Sequence, residues 1–319
     1  KVVRKIKKGL ETFRYRAPLA HKLSFIRYKQ SFAQKYMPLL GIADEMNYNP
    51  TVDCLVIGSD EVFNCIQKNS NVGYSPELFG KNNHAKKLIT YAASFGNTTL
   101  VKLEKYKKTD EVGALLKKFD AISVRDANSG AIVEQLTGKE PLYNLDPVLT
   151  YDYMNCCDKI PQVQTNEKYL ILYAYAGRIS NEEADWISDY AKKKKLKVYA
   201  IGGIQKCADR FVDCSPFEVL AYFRNAEEVI TDTFHGSIFS VITHRPFTTL
   251  IRKSVGNSYG NEEKLSDLLK RLKLADRMTT KIEDAENINE KTIDYAKVDE
   301  LLKAHREVAK EYLRKNLEG

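Results

Sequence analysis

Apolar and polar positions along this chain fall into blocks of two kinds. Short continuous apolar runs closed by glycine or a small polar residue read as buried parallel strands, and longer stretches with apolar positions three and four apart read as helices. "TVDCLVIGSD" ends in Gly58, Ser59 and Asp60, and "KKLITYAASFG" closes at Gly96. "EVGALLKKFD" predicts a short amphipathic helix, "AISVRD" a strand, "ANSGAIVEQLTG" a helix stopped at Gly138, and "EPLYNLDPVLTY" a strand followed by a proline turn. Residues 152–167 have no clear period and read as a linker. A second series then begins with the strand "KYLILYAYAG", the helix "SNEEADWISDYAKKKK" with Ser180 placed to cap it, and the strand "KVYAIGG". The helix "PFEVLAYFRNA", the strand "EEVITDT", the helix "HGSIFSVITH" and the strand "PFTTLI" continue it. A polar loop with Gly256 and Gly260 precedes two amphipathic helices, "NEEKLSDLLKRLKL" and "KVDELLKAHREVAKEYLRKNL".

Alternation of this kind predicts an α/β protein of two Rossmann-like lobes with parallel sheets, and a cleft between them as the place for a ligand. The expected organisation is a basic helical segment over 1–40, an amino-terminal lobe over 41–151, the linker, a carboxyl-terminal lobe over 168–280, and a helical segment over 281–319 returning towards the first lobe.

Charge changes the picture in one region only. Residues 1–40 carry eleven Lys or Arg against the single acid Glu11, a net +10, whereas the rest of the 319-residue chain sums to −2. The cations are interleaved with Phe13, Tyr15, Leu19, Leu23, Phe25, Ile26, Tyr28 and Phe32. Three readings stay open: a solvated helical hairpin whose aromatics pack on the domain, a segment that rests on an anionic membrane surface, or a nucleic-acid contact. The last lacks any accompanying nucleic-acid motif, so no nucleic-acid partner is expected. No apolar run approaches the roughly 20 residues of a membrane span. The opening "KVVRKIKKGLETF" has no apolar signal core, which leads us to expect a cytoplasmic protein, peripheral at most at the inner face of a membrane. The six cysteines form no CxxC pair, and adjacent Cys156 and Cys157 read as ordinary reduced thiols. No metal site and no cofactor is expected.

Candidate chemistry sits at the carboxyl ends of the predicted strands, where free backbone N–H groups and helix dipoles favour anions. These positions hold Ser59 and Asp60, then Ser94, then Arg125 and Asp126, and finally Asp232 with His235, Gly236 and Ser237. Asp126 reads as a helix N-cap. Arg125 fits either an anion-binding role or an ion pair with a nearby carboxylate. His235 opens a helix, where the dipole lowers its basicity unless an anion lies opposite, so a ligand-facing role fits it better than capping. His21, His84, His244 and His305 lie in helical or charged surroundings and read as surface or packing residues.

Taken together, "DCLVIGSDEVFN", "LITYAASFG", "FDAISVRDANSGAIVEQLTG", "NLDPVLT" and "ITDTFHGSIFSVITHRPF" resemble the polysaccharide pyruvyl transferase family, in the family's order from about residue 53 to 250. The resemblance implies a two-lobed transferase of glycosyltransferase-B type. Its activity would move pyruvate from phosphoenolpyruvate onto a sugar of a cell-surface polysaccharide, or of its lipid-linked precursor, as a ketal. The family's histidine falls on His235 and its arginine on Arg125. A phosphoenolpyruvate site needs a forked cation such as Arg125 and a helix amino terminus such as that at Gly236 and Ser237, with Ser59 and Ser94 as further donor-binding positions. His235 would protonate the enol or the leaving phosphate, and Asp60 or Asp232 would accept the hydroxyl proton.

Two departures stand out. The family's opening strand and its Asn- and Gly-containing loop are absent, so either the natural chain begins upstream of Lys1 or this lobe lacks part of its sheet. "GSDEVFN" also has Glu61 and Phe63 where relatives often show Gln and Trp. On the same architecture a nucleotide-sugar glycosyltransferase is the first alternative, and a non-catalytic anion- or glycan-binding protein the second.

Overall fold

The structure is a computed structural model and describes residues 11–41, 50–66, 74–252 and 262–318. The first ten residues of the basic segment, and the loop holding Gly256 and Gly260, lie outside the described residues. In chain order the elements are α1 (Leu19–Tyr36), β1 (Cys54–Gly58), β2 (Lys87–Tyr91), α2 (Leu100–Lys105), α3 (Thr109–Leu116), β3 (Ser123–Val124), α4 (Ala127–Thr137) and β4 (Leu142–Tyr143). Then follow β5 (Tyr169–Tyr173), α5 (Asn181–Lys194), β6 (Lys197–Ile201), β7 (Arg210–Phe211), α6 (Pro216–Asn225), β8 (Glu228–Thr231), α7 (Phe234–Ile242) and β9 (Phe247–Leu250). The last elements are α8 (Glu262–Arg271), β10 (Met278–Thr279), α9 (Ala285–Glu290) and α10 (Tyr295–Leu317).

Two compact units result. Of the described residues, the carboxyl lobe holds those within 1–44, 152–265 and 274–295, and the amino lobe those within 45–151, 266–273 and 296–319. Each is a Rossmann-like parallel α/β lobe, as the alternation predicts.

In the carboxyl lobe the sheet runs β10-β9-β8-β5-β6-β7, with every pairing parallel. Its centre is apolar without alternation, since helices cover both faces: Leu170, Ile171, Leu172, Val229 and Ile230 have no exposed surface. Helix α5 starts where the sequence directs it. Ser180 accepts from Glu183 N while the Glu183 carboxylate returns to Ser180 N, and the acids of the first turn and lysines of the last complement the helix dipole. The same capping box opens α6 at Ser215 and Glu218. Helix α1 belongs to this lobe and buries Phe25 edge-on against Phe211 at 5.4 Å, with Tyr28 also against Phe211 at 5.9 Å. Within the described part of the basic segment these aromatics therefore pack on the domain, while Leu19, Leu23, Leu39 and Leu40 stay exposed.

The amino lobe carries β1-β2 and β3-β4 as parallel pairs, with bridges Ile89↔Ala121 and Ala93↔Val124 joining β2 to β3. Its core is phenylalanine-rich, with Phe63 stacked on Phe79 at 4.4 Å and Phe95 and Phe119 alongside. Phe63 is fully buried, so the departure at that position acts on packing. Gly58 sits at φ +143 directly against the Tyr91 carbonyl, where any Cβ would collide. From α10, Tyr312 donates to Thr90 O at 2.7 Å.

The two-residue strands β7 and β10 and the helices α2 and α9 went unread in the sequence, being too short to show a period. Residues 152–167 contain a single helical turn, Tyr153–Cys156. All six cysteines are free, and burial pushes the thiols of Cys65, Cys207 and Cys214 up to about 12, which leaves them protonated and unreactive.

Candidate functional site

Counting strands from β5, the carboxyl-lobe sheet has the order 3-2-1-4-5-6, and the direction of connection reverses between β5 and β8. At such a reversal the loops after the two central strands diverge to opposite faces and leave a crevice, where ligands of open α/β sheets bind. Tyr173 and Thr231 are register partners at the ends of β5 and β8, so residues 174–180 and 232–235 leave the sheet side by side.

The second of these loops is built around Thr231 and Thr233. The Thr231 hydroxyl donates to Tyr173 O at 2.7 Å and accepts from Thr233 N at 3.1 Å, and Thr233 caps α7 by accepting from Gly236 N at 2.9 Å. Gly236 lies so close to the Thr231 side chain that only glycine fits there. This locks the first turn of α7 and sets His235 at its second position, half-buried, with its ring edge-on to Phe234 at 5.7 Å and tilted against Phe239 at 6.0 Å.

Asp232 has no exposed surface. Two arginines approach it from neighbouring strand ends: Arg178 Nη1 at 3.8 Å, after β5, and Arg252 Nε at 3.9 Å, after β9. Burial outweighs their attraction and pushes the Asp232 carboxyl up to about 6. Arg252 is also gripped by both oxygens of Glu183 in the first turn of α5, at 2.6 and 3.1 Å. Sequence reasoning missed Arg178, Glu183 and Arg252. They converge only through the strand order, and no local motif marks them.

The amino-lobe candidates gather differently. Arg125, after β3, has a side chain only 4% exposed. It donates to Ser59 O at 2.6 Å, to Asp146 at 3.1 Å and to Asp60 at 3.1 Å. Of the two readings open for it, the structure shows the ion pair, with buried Asp146 as the partner. Asp126 is the N-cap expected for α4, accepting from Ser129 N at 2.8 Å. Ser94 was read as donor-binding, but it is buried with its hydroxyl on Asp126 at 2.6 Å, because the cap needs that second oxygen held. Ser237 is corrected in the same way: fully buried, its hydroxyl is spent on the Thr233 carbonyl and on Thr249 of β9. Ser59 is half-buried and engages Arg125 through its carbonyl. Asp60 is the open carboxylate of this cluster, with 83% of its side chain exposed. Among the described residues no group of three or more His, Cys, Asp or Glu could hold a metal ion, and no helix is long and apolar enough to cross a membrane.

A family model described as "Polysaccharide pyruvyl transferase" matches residues 5–254. No curated protein matches the chain. Among solved structures the chain is similar to an O-GlcNAc transferase from Thermobaculum terrenum, with 12% identity over 81% of this chain and 49% of that one and a TM-score of 0.40. It is similar to a UDP-GlcNAc 2-epimerase from Neisseria meningitidis, with 9% identity over 92% of this chain and 82% of that one and a TM-score of 0.44. It is also similar to the wall teichoic acid polymerase TagF, with 11% identity over 94% of this chain and 98% of that one and a TM-score of 0.38. The chain thus spans about half the length of the first of these proteins. At such scores none of the three likenesses bears on the reading of the site.

Proposed function

The chain belongs to the polysaccharide pyruvyl transferase family, a family of transferase enzymes that modify polysaccharide, and from that premise we propose that it moves pyruvate from phosphoenolpyruvate onto two hydroxyls of one sugar as a ketal. The observation that carries the reading is the placement of His235 at the reversal of the carboxyl-lobe sheet, on a helix start locked by Thr233 and Gly236, with buried Asp232 three residues before it.

The reaction needs one proton delivered to the methylene carbon of the enol, attack of a sugar hydroxyl on the carbon that becomes cationic, departure of phosphate with its C–O bond, and closure by the second hydroxyl. The two hydroxyl protons balance the new methyl hydrogen and the released phosphate. His235, half-buried at the crevice, is the group we assign to proton handling. Asp232 is fully buried, so its part is that of a fixed negative charge beneath Arg178 and Arg252, steadying cations that would otherwise repel each other. The helix start at Gly236 favours an anion by its dipole.

We place the acceptor on a lipid-linked precursor and infer that residues 1–40 hold the enzyme against an anionic membrane surface. Exposed Leu19, Leu23, Leu39 and Leu40 beside a net +10 segment support this. Each basic residue is worth about 1 kcal/mol near an anionic bilayer. Sedimentation with anionic vesicles at low salt should deplete the protein from solution and neutral vesicles should not; equal recovery removes the membrane part alone.

The test of the activity is thermal shift followed by product analysis. Phosphoenolpyruvate should raise the midpoint as ln(1 + [L]/Kd), and incubation with acceptor should release inorganic phosphate with an acid-labile pyruvate ketal on the sugar. Stabilisation by UDP and not by phosphoenolpyruvate would instead select the nucleotide-sugar transferase.

A further inference from the structure

Three arginines stand at strand ends near the candidate residues, and they differ in what their donors are doing. Arg125 has its guanidinium on Ser59, Asp146 and Asp60, at 4% side-chain exposure. Arg252 is clamped by two bonds to Glu183. Arg178 is held by neither kind of contact. Its Nη1 lies 3.8 Å from Asp232, a charge contact too long for a hydrogen bond, and its guanidinium carbon lies 5.0 Å from the centre of the Tyr175 ring. Among the described residues its guanidinium makes no hydrogen bond, although the group carries five N–H donors in a planar fork. The Tyr175 ring lies to one side of the group. Among the described residues no acceptor takes up its donors, and 28% of the side chain is open to solvent.

The loop that carries Arg178 is fixed before any ligand arrives. Buried Gln205 donates to the carbonyls of Ala174 at 3.1 Å and Tyr175 at 3.3 Å. Gly203 packs directly on the Ala174–Ala176 backbone, too close for any side chain. The turn closes with Arg178 N on Tyr175 O at 3.2 Å, and Gly177 adopts φ +81 beneath the ring of Tyr15. A cation on a rigid loop loses less freedom on binding than one on a mobile loop, which favours affinity.

We propose that Arg178 is the residue that grips the anionic end of the donor, presenting its fork to a carboxylate or phosphate at the β5/β8 reversal with Tyr175 as its platform and Asp232 as its buried counter-charge. The inference rests on the pyruvyl-transfer reading for the identity of that donor, and on the geometry alone for an anion. Lysine would keep the charge and lose the planar fork.

The experiment is steady-state kinetics and thermal shift on the whole chain with Arg178→Lys and Arg178→Ala, using phosphoenolpyruvate, UDP and inorganic phosphate as separate probes. Arg178→Lys should raise the donor KM on the order of tenfold and Arg178→Ala further, both with the acceptor KM unchanged and the ligand-free melting temperature near that of the wild type. Inorganic phosphate should compete with phosphoenolpyruvate in the wild type and lose potency in both variants. An unchanged donor KM with a lowered melting temperature would make Arg178 structural and overturn the inference while leaving pyruvyl transfer intact. Wild-type protein that binds UDP but not phosphoenolpyruvate, with UDP binding lost in Arg178→Ala, would overturn the pyruvyl reading and keep the anion site. Wild-type affinity of Arg178→Ala for all three probes overturns the site itself.

Discussion

The arginine cluster of the amino lobe and that of the carboxyl lobe are built from the same residue types at the same place on a parallel sheet, yet they are in opposite states. Around Arg125 the contacts are 2.6 to 3.1 Å and the main carboxylate, Asp146, is buried with it. Around Asp232 the two arginines stand at 3.8 and 3.9 Å and keep about a quarter of their side chains in solvent. A closed network of the first kind fixes backbone: Arg125 ties the ends of β1, β3 and β4 together. In the looser second kind Arg252 is held by Glu183, and Arg178 is the member with donors over for something that is not protein. Position at a strand end does not distinguish the clusters; contact distance and exposure do.

The largest effect expected from breaking this comparison falls on Asp146. Asp146→Ala strands a buried guanidinium and also removes the N-cap accepted from Val148 N at 3.0 Å, so folding stability should fall by about 3–5 kcal/mol, read by denaturant titration. A loss below about 1 kcal/mol would mean that the amino-lobe cluster is as loose as the other.

Next comes Asp232. Its carboxyl is raised from 3.8 to about 6 on folding, so the folded state binds the extra proton between those values. Stability from this group is therefore present at low pH and lost as pH rises towards and beyond 6. Asp232→Asn should be more stable than wild type at pH 7 by up to about 3 kcal/mol, with the gap closing below pH 4. Taking the difference between the two proteins isolates Asp232 from Glu228 and Asp267, whose carboxyls are also raised by burial. A gap independent of pH would contradict the assignment. In turnover, the wild type should lose rate as pH falls through about 6, because a neutral Asp232 no longer steadies its arginines.

Smaller effects follow. Thr233→Ala should cost about 1 kcal/mol by removing the cap of α7, and should lower activity more than that figure suggests because it frees the turn that sets His235. The smallest belongs to Asp60→Ala. With 83% of that side chain exposed, stability should change by less than about 0.5 kcal/mol. A rate loss above about tenfold in a protein of unchanged stability would return Asp60 to the catalytic machinery.

Much of this was legible in the sequence. "EEVITDTFHGSIFS" announced β8, its loop and α7 because an apolar run is followed by a histidine, a glycine and a second apolar stretch of helical spacing; the Thr233 cap that starts α7 comes from the structure. Ser180 and Asp126 cap as their positions required. The partners of Arg125 and Asp232 were not legible. Asp146 lies 21 residues from Arg125, and the convergence of Arg178, Glu183 and Arg252 on one site depends on β8 lying between β5 and β9. That is a property of strand order, which local periodicity does not encode. Ser94 and Ser237 were misread for a related reason: a serine at a strand end or helix start looks the same whether its hydroxyl faces solvent or a buried neighbour.

His235 decides the account. One preparation of His235→Asn should be measured for melting temperature and for pyruvate ketal formed per folded molecule. The side chain is half-buried and the turn is held by Thr231, Thr233 and Gly236, so the fold should survive with its melting temperature close to wild type, while turnover falls on the order of 10²- to 10⁴-fold. A wild-type rate per folded molecule, whatever the melting temperature, would contradict the claim that the carboxyl-lobe strand ends are where the chemistry occurs.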